Sequence, residues 1–441
     1  MIEKDRLKKI LGLSLPIIGG MVSQNILNIV DTVMVGTLGN AALGAVGLGG
    51  FALFMCQSLL LGISTGVLAT SSRRKGEGKD SETAFPLNGG IFLSIIGGGL
   101  LTLFFYSVTP SLYPYLNSDP EVVALGTNYL QIRILGIIFV GINFSFRGFW
   151  NAINKPGMYM ATLVIMHGLN IFFNYVLIFG KLGFPKLGVD GAAIGSTIAT
   201  GFGALIYFIL GFIFARENGF LKHLPSKEGL KSLIKISLPN GIQQLFFAAG
   251  FTALFYIIGK IGTVELAAAH ILINVLLICI LPGMGLGITA ASLIGQALGR
   301  NNPDDAKMWG WDVLKVGMAL LGTMGIPMIF FPEFLISIFI KDPLTIAAAA
   351  WPMRLSGMSM CFEAMGLILM NSLLGAGATK KVMFVSILLQ WFLFLPLCYF
   401  LVPISGGGLL MIWTFFVGYR GLQSFIFLGM WRKSAWANIN V

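Results

Sequence analysis

Two groups of polar side chains interrupt otherwise apolar stretches of the sequence, and one of them contains a carboxylate. Gln24, Asn28 and Asp31 follow one another at i, i+4 and i+7, so they share one face of a helix. Asn170 and Asn174 form an i, i+4 pair in a later apolar stretch. A carboxylate with two amide oxygens and a hydroxyl could hold a hard monovalent cation, whereas a desolvated carboxylate could bind and release a proton. We predict an ion site that contains Asp31, Asn170 and Asn174, with sodium or a proton as the ion.

A second acid, Glu363, lies about midway along another apolar stretch. Carboxylates are costly inside a bilayer, and most of those found there mark ion pathways. Asp31 and Glu363 are therefore candidate coupling groups. The alternative is that each accepts hydrogen bonds from neutral partners and only stabilises packing.

Further polar residues in apolar stretches are candidates for lining a substrate cleft, together with Gln24 and Asn28. For His167 we favour a packing role, although the imidazole could titrate. His270 and Asn274 again have i, i+4 spacing, which favours an interhelical hydrogen bond. The remaining candidates are Tyr175, Gln243 and Gln244.

The composition places these residues in a membrane protein. The chain has 441 residues, of which 56% are hydrophobic and 11% charged, whereas soluble domains carry about 25% charged residues. This excludes a soluble enzyme, a disordered chain and a nucleic-acid binder, despite a net charge of +11. Four separate cysteines without a CxxC pair indicate small buried side chains rather than a metal site or disulfides.

The apolar runs predict an all-α polytopic membrane protein with twelve transmembrane helices, each long enough to cross a bilayer. The first run is expected to be a retained helix rather than a cleaved signal. The predicted spans are 8–36, 42–71, 87–109, 122–147, 157–180, 188–215, 230–259, 265–298, 309–339, 345–374, 382–403 and 406–431.

Basic residues predict the orientation of these spans. If the N-terminus is inside, the inner side receives 21 Lys and Arg, in the tails, the inner connections and the inner ends of the spans, whereas the outer connections hold Lys181, Lys186, Lys260 and Lys341. This bias follows the positive-inside rule. We therefore expect a multi-pass protein of the cell membrane with both termini in the cytoplasm.

The sequence also contains an internal repeat. Ser14-Leu15-Pro16 reappears as Ser237-Leu238-Pro239 at an offset of 223, and Gly62 meets Gly285 at the same offset. This predicts two pseudo-symmetric six-helix lobes, at 1–215 and 236–441, joined by a cytoplasmic linker at 216–235. Transporters place their substrates near such repeat interfaces.

Motifs for enzymatic chemistry are missing from the sequence. It has no P-loop, HExxH or nucleophile elbow. The prediction is therefore a transporter rather than an enzyme, without a cofactor, and with any uphill transport driven by an ion gradient.

Several segments resemble the multidrug and toxic compound extrusion (MATE) family. The most specific is Asn28-Ile29-Val30-Asp31-Thr32-Val33-Met34-Val35-Gly36-Thr37-Leu38-Gly39, with support from Arg147-Gly148-Phe149-Trp150-Asn151-Ala152 and Gly295-Gln296-Ala297-Leu298-Gly299. The resemblance covers nearly the whole chain. It implies export of amphipathic, often cationic compounds in exchange for protons or sodium ions.

The same resemblance implies roles for individual residues. Asp31 matches the family's first-helix coupling acid, Asn170 and Asn174 match its fifth-helix polar pair, and Ser196 matches a hydroxyl that often completes this site. Glu363 matches the tenth-helix acid of the NorM-like branch. That branch also carries a glutamate on the seventh helix, where this chain has Phe247, so its second cation site is incomplete here.

These observations lead to one hypothesis and two alternatives. The hypothesis is an ion-coupled antiporter for small amphipathic cations that functions as a monomer in the lipid bilayer. One alternative is a lipid-linked saccharide flippase of the same superfamily, although such flippases usually have fourteen spans and a cationic cavity. The other is a membrane-embedded enzyme, for which the sequence offers no catalytic residues.

Overall fold

The computed structural model describes residues 2–439, and within that range every regular element is a helix. Two short 3-10 turns, Asp80–Glu82 and Tyr113–Tyr115, and one π-helical turn, Leu388–Phe394, accompany the α-helices. The α-helices are α1 (Lys4–Gly36), α2 (Asn40–Gly76), α3 (Phe85–Leu112), α4 (Pro120–Leu135), α5 (Ile137–Ala152), α6 (Pro156–Phe179), α7 (Gly188–Phe214), α8 (Lys227–Gly259), α9 (Thr263–Gly299), α10 (Pro303–Phe330), α11 (Pro332–Ser337), α12 (Pro343–Gly375), α13 (Thr379–Ile387), α14 (Leu395–Ser405) and α15 (Gly408–Arg432).

Local sequence signals set several helix ends. The side chain of Asn302 accepts a hydrogen bond from the Asp305 amide at 2.9 Å, and that of Asp342 accepts one from the Thr345 amide at 2.8 Å. These bonds satisfy amides that have no partner within α10 and α12. Gly180, with a left-handed φ of 66°, ends α6.

The predicted all-α membrane fold is confirmed, with differences in detail. Eleven helices in the described range are long and apolar enough to span a membrane, where α13, the π-helical turn and α14 count as one continuous helix. A twelfth span results if α4 and α5 count together. The predicted fourth span, 122–147, is broken at Gly136, where α4 and α5 meet at 49°. The predicted ninth span, 309–339, ends early, because Pro332 cannot continue α10 and begins the short α11 instead.

Contacts along the chain divide it into two compact units. One unit is Gly19–Leu245, and the other contains the residues up to Ile18 together with those from Phe246 onwards. These limits differ from the predicted boundaries at 215 and 236. The first halves of α1 and α8 each belong to a different unit from the rest of their helix, and both halves contain a proline, Pro16 or Pro239.

Within the Gly19–Leu245 unit, glycines let α2 approach the first half of α8 closely. A Cβ on Gly62 would collide with the carbonyl of Ser237, and one on Gly66 would collide with the Ser237 hydroxyl. Thr65 Oγ1 donates a hydrogen bond to Asn240 Oδ1 at 2.9 Å beside this contact. Small residues that allow such backbone approach stabilise helix pairs in membranes.

Within the other unit, the repeat-related glycine plays the same part. A Cβ on Gly285 of α9 would lie 2.5 Å from Ile18 Cγ1 in the first half of α1. A buried core of this unit joins Leu286, Ile294 and Ile368 to Ile10 at the start of the chain. The two halves of the repeat therefore use equivalent glycines for equivalent packing.

Candidate functional site

Asp31 lies in the second half of α1 and is partly buried. Its Oδ1 atom accepts a hydrogen bond from Asn174 Nδ2 at 2.9 Å, across 143 residues of sequence. Asn174 Nδ2 also donates to Asn170 Oδ1 at 2.9 Å, as the i, i+4 spacing on α6 allows. The structure therefore brings together the three residues of the predicted ion site.

Three oxygens in this group differ in their bonding. Asn174 is 1% exposed, and its Oδ1 atom is buried without a hydrogen-bond partner among residues 2–439. Asn170 Oδ1 accepts only the bond from Asn174, and Asp31 has no Lys, Arg or His nitrogen within 4.0 Å in the same range. A carboxylate with two neighbouring amide oxygens can bind a proton or a small hard cation.

Helix α7 packs against Asn174 through Gly195, a residue that was not predicted from the sequence. Gly195 lies against Asn174, because a Cβ there would collide with Asn174 Oδ1. Ser196, the predicted hydroxyl contributor, is 7% exposed, and its backbone carbonyl accepts a bond from Thr200 Oγ1. No hydrogen bond joins the Ser196 side chain to Asp31 or the asparagines in the described structure. The resemblance pointed to the adjacent residue, whereas the close packing of α6 and α7 depends on Gly195.

His167 is 4% exposed and has partners for both ring nitrogens. Nδ1 shares a hydrogen bond with Ser23 Oγ at 2.7 Å, and Nε2 shares one with Gln24 Oε1 at 3.2 Å. Gln24 Nε2 in turn donates to Asn28 Oδ1 at 3.2 Å. This chain of bonds joins α6 to the polar face of α1, with His167 as a fully bonded packing residue.

The other candidates in this unit lie apart from Asp31. Tyr175 is 49% exposed and contacts Phe179. Gln243 is buried, and its Oε1 atom accepts a bond from Asn240 at 3.4 Å, whereas Gln244 on the same helix is partly exposed. The structure does not bring these three side chains into the Asp31 group.

In the other unit, Glu363 of α12 is 2% exposed and forms an ion pair with Arg420 of α15. Arg420 Nε lies 2.9 Å from Oε1 and 3.1 Å from Oε2, and Nη2 also bonds to Oε2. Arg420 was not among the residues predicted from the sequence, because the positive-inside pattern draws on basic residues in tails, connections and span ends. The sequence does contain a signal for it, because Arg420 lies in the middle of a predicted span, where an arginine is as costly as an acid.

His270 and Asn274 do not form the predicted interhelical hydrogen bond. His270 is exposed and stacks on Phe255 with ring centroids 4.3 Å apart. Asn274 is exposed as well, and neither side chain makes a hydrogen bond within residues 2–439. The stacking of imidazole on a neighbouring ring replaces the predicted bond.

The fold is that of a polytopic membrane protein. A sequence model of the family MatE matches residues 16–176 and 239–400. The two matched segments begin 223 residues apart (239 − 16), which is the offset of the internal repeat. The chain belongs to the MatE family of transporters, and it is not an enzyme.

Curated relatives agree over most of their length. A probable multidrug resistance protein NorM of Thermotoga maritima is 28% identical over 97% of this chain and 94% of that protein. Another of the same name from Agrobacterium fabrum is 30% identical over 77% of this chain and 74% of its own. Multidrug resistance protein MdtK of Yersinia enterocolitica is 24% identical over 89% and 87%.

Solved structures share the fold. An outward-facing multidrug resistance MATE family transporter of the MOP superfamily superposes with a TM-score of 0.90 at 21% identity, over 99% of this chain and 97% of that one. A MATE structure in the bent conformation gives a TM-score of 0.88 at 22% identity, over 97% and 95%. At these identities the likeness shows a common fold.

Proposed function

We propose that this protein is a secondary antiporter that exports amphipathic, often cationic compounds in exchange for protons or sodium ions. Its family and the multidrug resistance names of its relatives support the export of drug-like molecules. The ion coupling rests on the group around Asp31.

One observation carries this proposal: a partly buried carboxylate in an apolar helix that is bonded to a neutral amide rather than paired with a cation. Asp31 accepts its bond from Asn174, and the buried Oδ1 of Asn174 has no partner in the described structure. An unpaired carboxylate at membrane depth is costly. An arriving proton or sodium ion relieves that cost, so ion binding has the free energy needed to change the conformation.

The proposed cycle couples this binding to α1. An ion from outside neutralises Asp31, which favours a bent or repacked α1 and releases the compound outward. A compound bound from inside favours the opposite state and the release of the ion, because each ligand shifts the equilibrium toward the state that it binds more tightly. Pro16 interrupts the backbone bonding of α1 and makes bending less costly.

The first prediction concerns Asp31→Asn. We expect the variant to lose gradient-driven efflux of ethidium from proteoliposomes under both a proton and a sodium gradient, because a neutral amide has no charge for a cation to balance. Imposing each gradient separately on the wild type identifies the coupling ion. Asp304→Asn is the matched control, since Asp304 lies exposed in the first turn of α10. Full efflux by a folded Asp31→Asn protein would refute the assignment.

The proposal also covers the location, the cofactor requirement and the oligomeric state of the protein. The protein resides in the cell membrane with both termini in the cytoplasm, as the distribution of Lys and Arg favours. It needs no cofactor, and a single chain carries the complete Asp31 group, so we propose that it functions as a monomer.

A further inference from the structure

Glu363, the candidate acid of the other unit, is paired with a cation from the same chain. Glu363 is residue 21 of the 33 in α12, and Arg420 is residue 13 of the 25 in α15. Both positions lie well inside apolar helices, where an isolated charge of either sign would be costly. Pairing offsets part of that cost for both groups.

The bonding of this pair is complete. Both carboxylate oxygens of Glu363 accept from Arg420, through Nε and Nη2. The remaining guanidinium nitrogen, Nη1, donates to Gln423 Oε1 at 2.8 Å, and Gln423 Nε2 donates to Ser386 Oγ at 3.2 Å. Each atom that could bind a further charge already has a partner.

Packing around the pair holds α12 and α15 together. Ser424 Oγ donates to the carbonyl of Phe362 at 2.7 Å, and Gly366 lies against Ser424 with 2.5 Å from its ideal Cβ position to the hydroxyl. Beside Arg420, Tyr419 stacks on Phe394 of the π-helical turn with centroids 4.5 Å apart. These contacts fix the backbone on both sides of the ion pair.

We propose that Arg420 is a tethered counter-ion that occupies the cation position of Glu363, so that only Asp31 exchanges an ion during transport. This rests on the proposed function, which assigns the coupling ion to Asp31. It reverses the expectation that Glu363 is a second coupling acid. Arg420 thereby determines the coupling stoichiometry, which is the number of ions exchanged in each transport cycle.

The physical reason is a competition between a tethered and a free cation. The guanidinium is attached to α15 and held beside Glu363, so its binding is intramolecular, and a free ion would have to displace it. It also makes parallel hydrogen bonds to the carboxylate that a sodium ion or a proton cannot reproduce. Asp31 has no such competitor within 4.0 Å in the described structure, and its asparagine partners are uncharged.

The decisive experiment removes the tethered cation and counts what replaces it. Purified protein in nanodiscs is assayed for bound ²²Na⁺ and for the infrared band of protonated carboxyl groups. Arg420→Gln should gain about one cation per chain over wild type, either as sodium or as a protonated Glu363. Arg420→Lys retains the charge and should show no gain. The folded state of each variant is checked by its thermal transition.

The matched neutral pair tests the wild type directly. Glu363→Gln/Arg420→Gln should take up as many cations as the wild type, because Glu363 holds none from solution, and its amides can still bond to each other. A double variant that takes up one cation fewer would overturn the proposal, as would a folded Arg420→Gln protein without a gain. If Arg420→Gln does not fold, the double variant alone decides.

The same assay separates this inference from the proposed function. Asp31→Asn should take up one cation fewer than wild type. If it takes up the same number, the assignment of coupling to Asp31 fails, while the Arg420 comparisons still report on Glu363.

Discussion

Asp31 and Glu363 are both carboxylates in apolar helices, but their surroundings differ in charge. Asp31 accepts a hydrogen bond from a neutral amide, whereas Glu363 is bonded on both oxygens to a guanidinium. Burial disfavours the charged form of both, more strongly at Glu363, which is 2% exposed, and the partner determines whether a further cation is attracted. This difference is the basis of our proposal that Asp31 exchanges an ion and that Glu363 does not.

At this scale, Asn174→Ala should distinguish the two candidate ions. Asn174 supplies a hydrogen bond to the carboxylate and a buried amide oxygen, and hydrogen bonds to charged groups contribute about 1.5–3 kcal/mol. If the ion is sodium, loss of the oxygen ligand should raise the sodium concentration needed for half-maximal efflux about tenfold or more. If the ion is a proton, loss of the hydrogen-bond donor should favour the protonated acid, so half-maximal efflux should need a lower proton concentration.

The measurement is efflux from proteoliposomes as a function of sodium concentration and of pH. Thr32→Ala is the control, because Thr32 is exposed on α1 and its hydroxyl donates to the backbone carbonyl of Asn28 rather than to Asp31. Unchanged dependence on both ions in folded Asn174→Ala would contradict a role for this residue in ion binding.

At the scale of elements, an ion cluster fastens the start of α1 to α10. Arg6 bonds to Asp305 at 2.7 Å through Nη1 and to Asp312 at 2.6 Å through Nε, and its guanidinium lies 3.6 Å from the centroid of the Trp309 ring. Arg300 adds a second bond to Asp305 at 3.0 Å. Asp312 was not among the residues predicted to be functional, but this partly buried network joins the first half of α1 to α10.

Arg6→Gln should loosen this half of α1. The variant leaves two partly buried carboxylates with weaker partners, and we expect a loss of about 2 kcal/mol, below the 3–5 kcal/mol for breaking a fully buried pair because these groups are only partly buried. Hydrogen exchange is the measurement, and the amides in α1 before Ile18 should exchange faster. Lys8→Gln, at an exposed position on the same helix, is the control. Equal exchange in both variants would show that apolar packing alone holds this segment.

At the scale of the whole molecule, the duplicated sequence is reflected in the packing inside each compact unit. Gly62 of α2 meets the first half of α8, and its repeat equivalent Gly285 of α9 meets the first half of α1. The acids break this symmetry, because Asp31 has no acidic counterpart at its repeat position, Leu254.

The orientation of the whole chain is testable with reporter fusions. We expect alkaline phosphatase to be inactive when fused after Lys433, at the end of α15, and active when fused after Lys341, between α11 and α12. The reason is that the Lys and Arg of the tails and alternate connections are retained on the cytoplasmic side. Green fluorescent protein at the same two positions should give the reverse pattern. Phosphatase activity at the C-terminus would invert the proposed topology.

The sequence by itself determined the class of protein, most helices, the repeat and the residues around Asp31. These properties depend on residues that are close together in the sequence. Hydropathy along a segment decides whether it enters a membrane, and i, i+4 spacing decides which side chains share a face. The break at Gly136 was not predicted, because the apolar run continues through it.

Only the tertiary structure decided which polar groups are partners. Asp31 and Asn174 are 143 residues apart, and Glu363 and Arg420 are 57 apart, so no local pattern joins them. Rotation of each helix about its axis, set by close contacts such as Gly195 on Asn174 and Gly366 on Ser424, decides which side chains face each other. Two acids that are alike in sequence therefore differ in the structure, one bonded to a neutral amide and the other paired with an arginine.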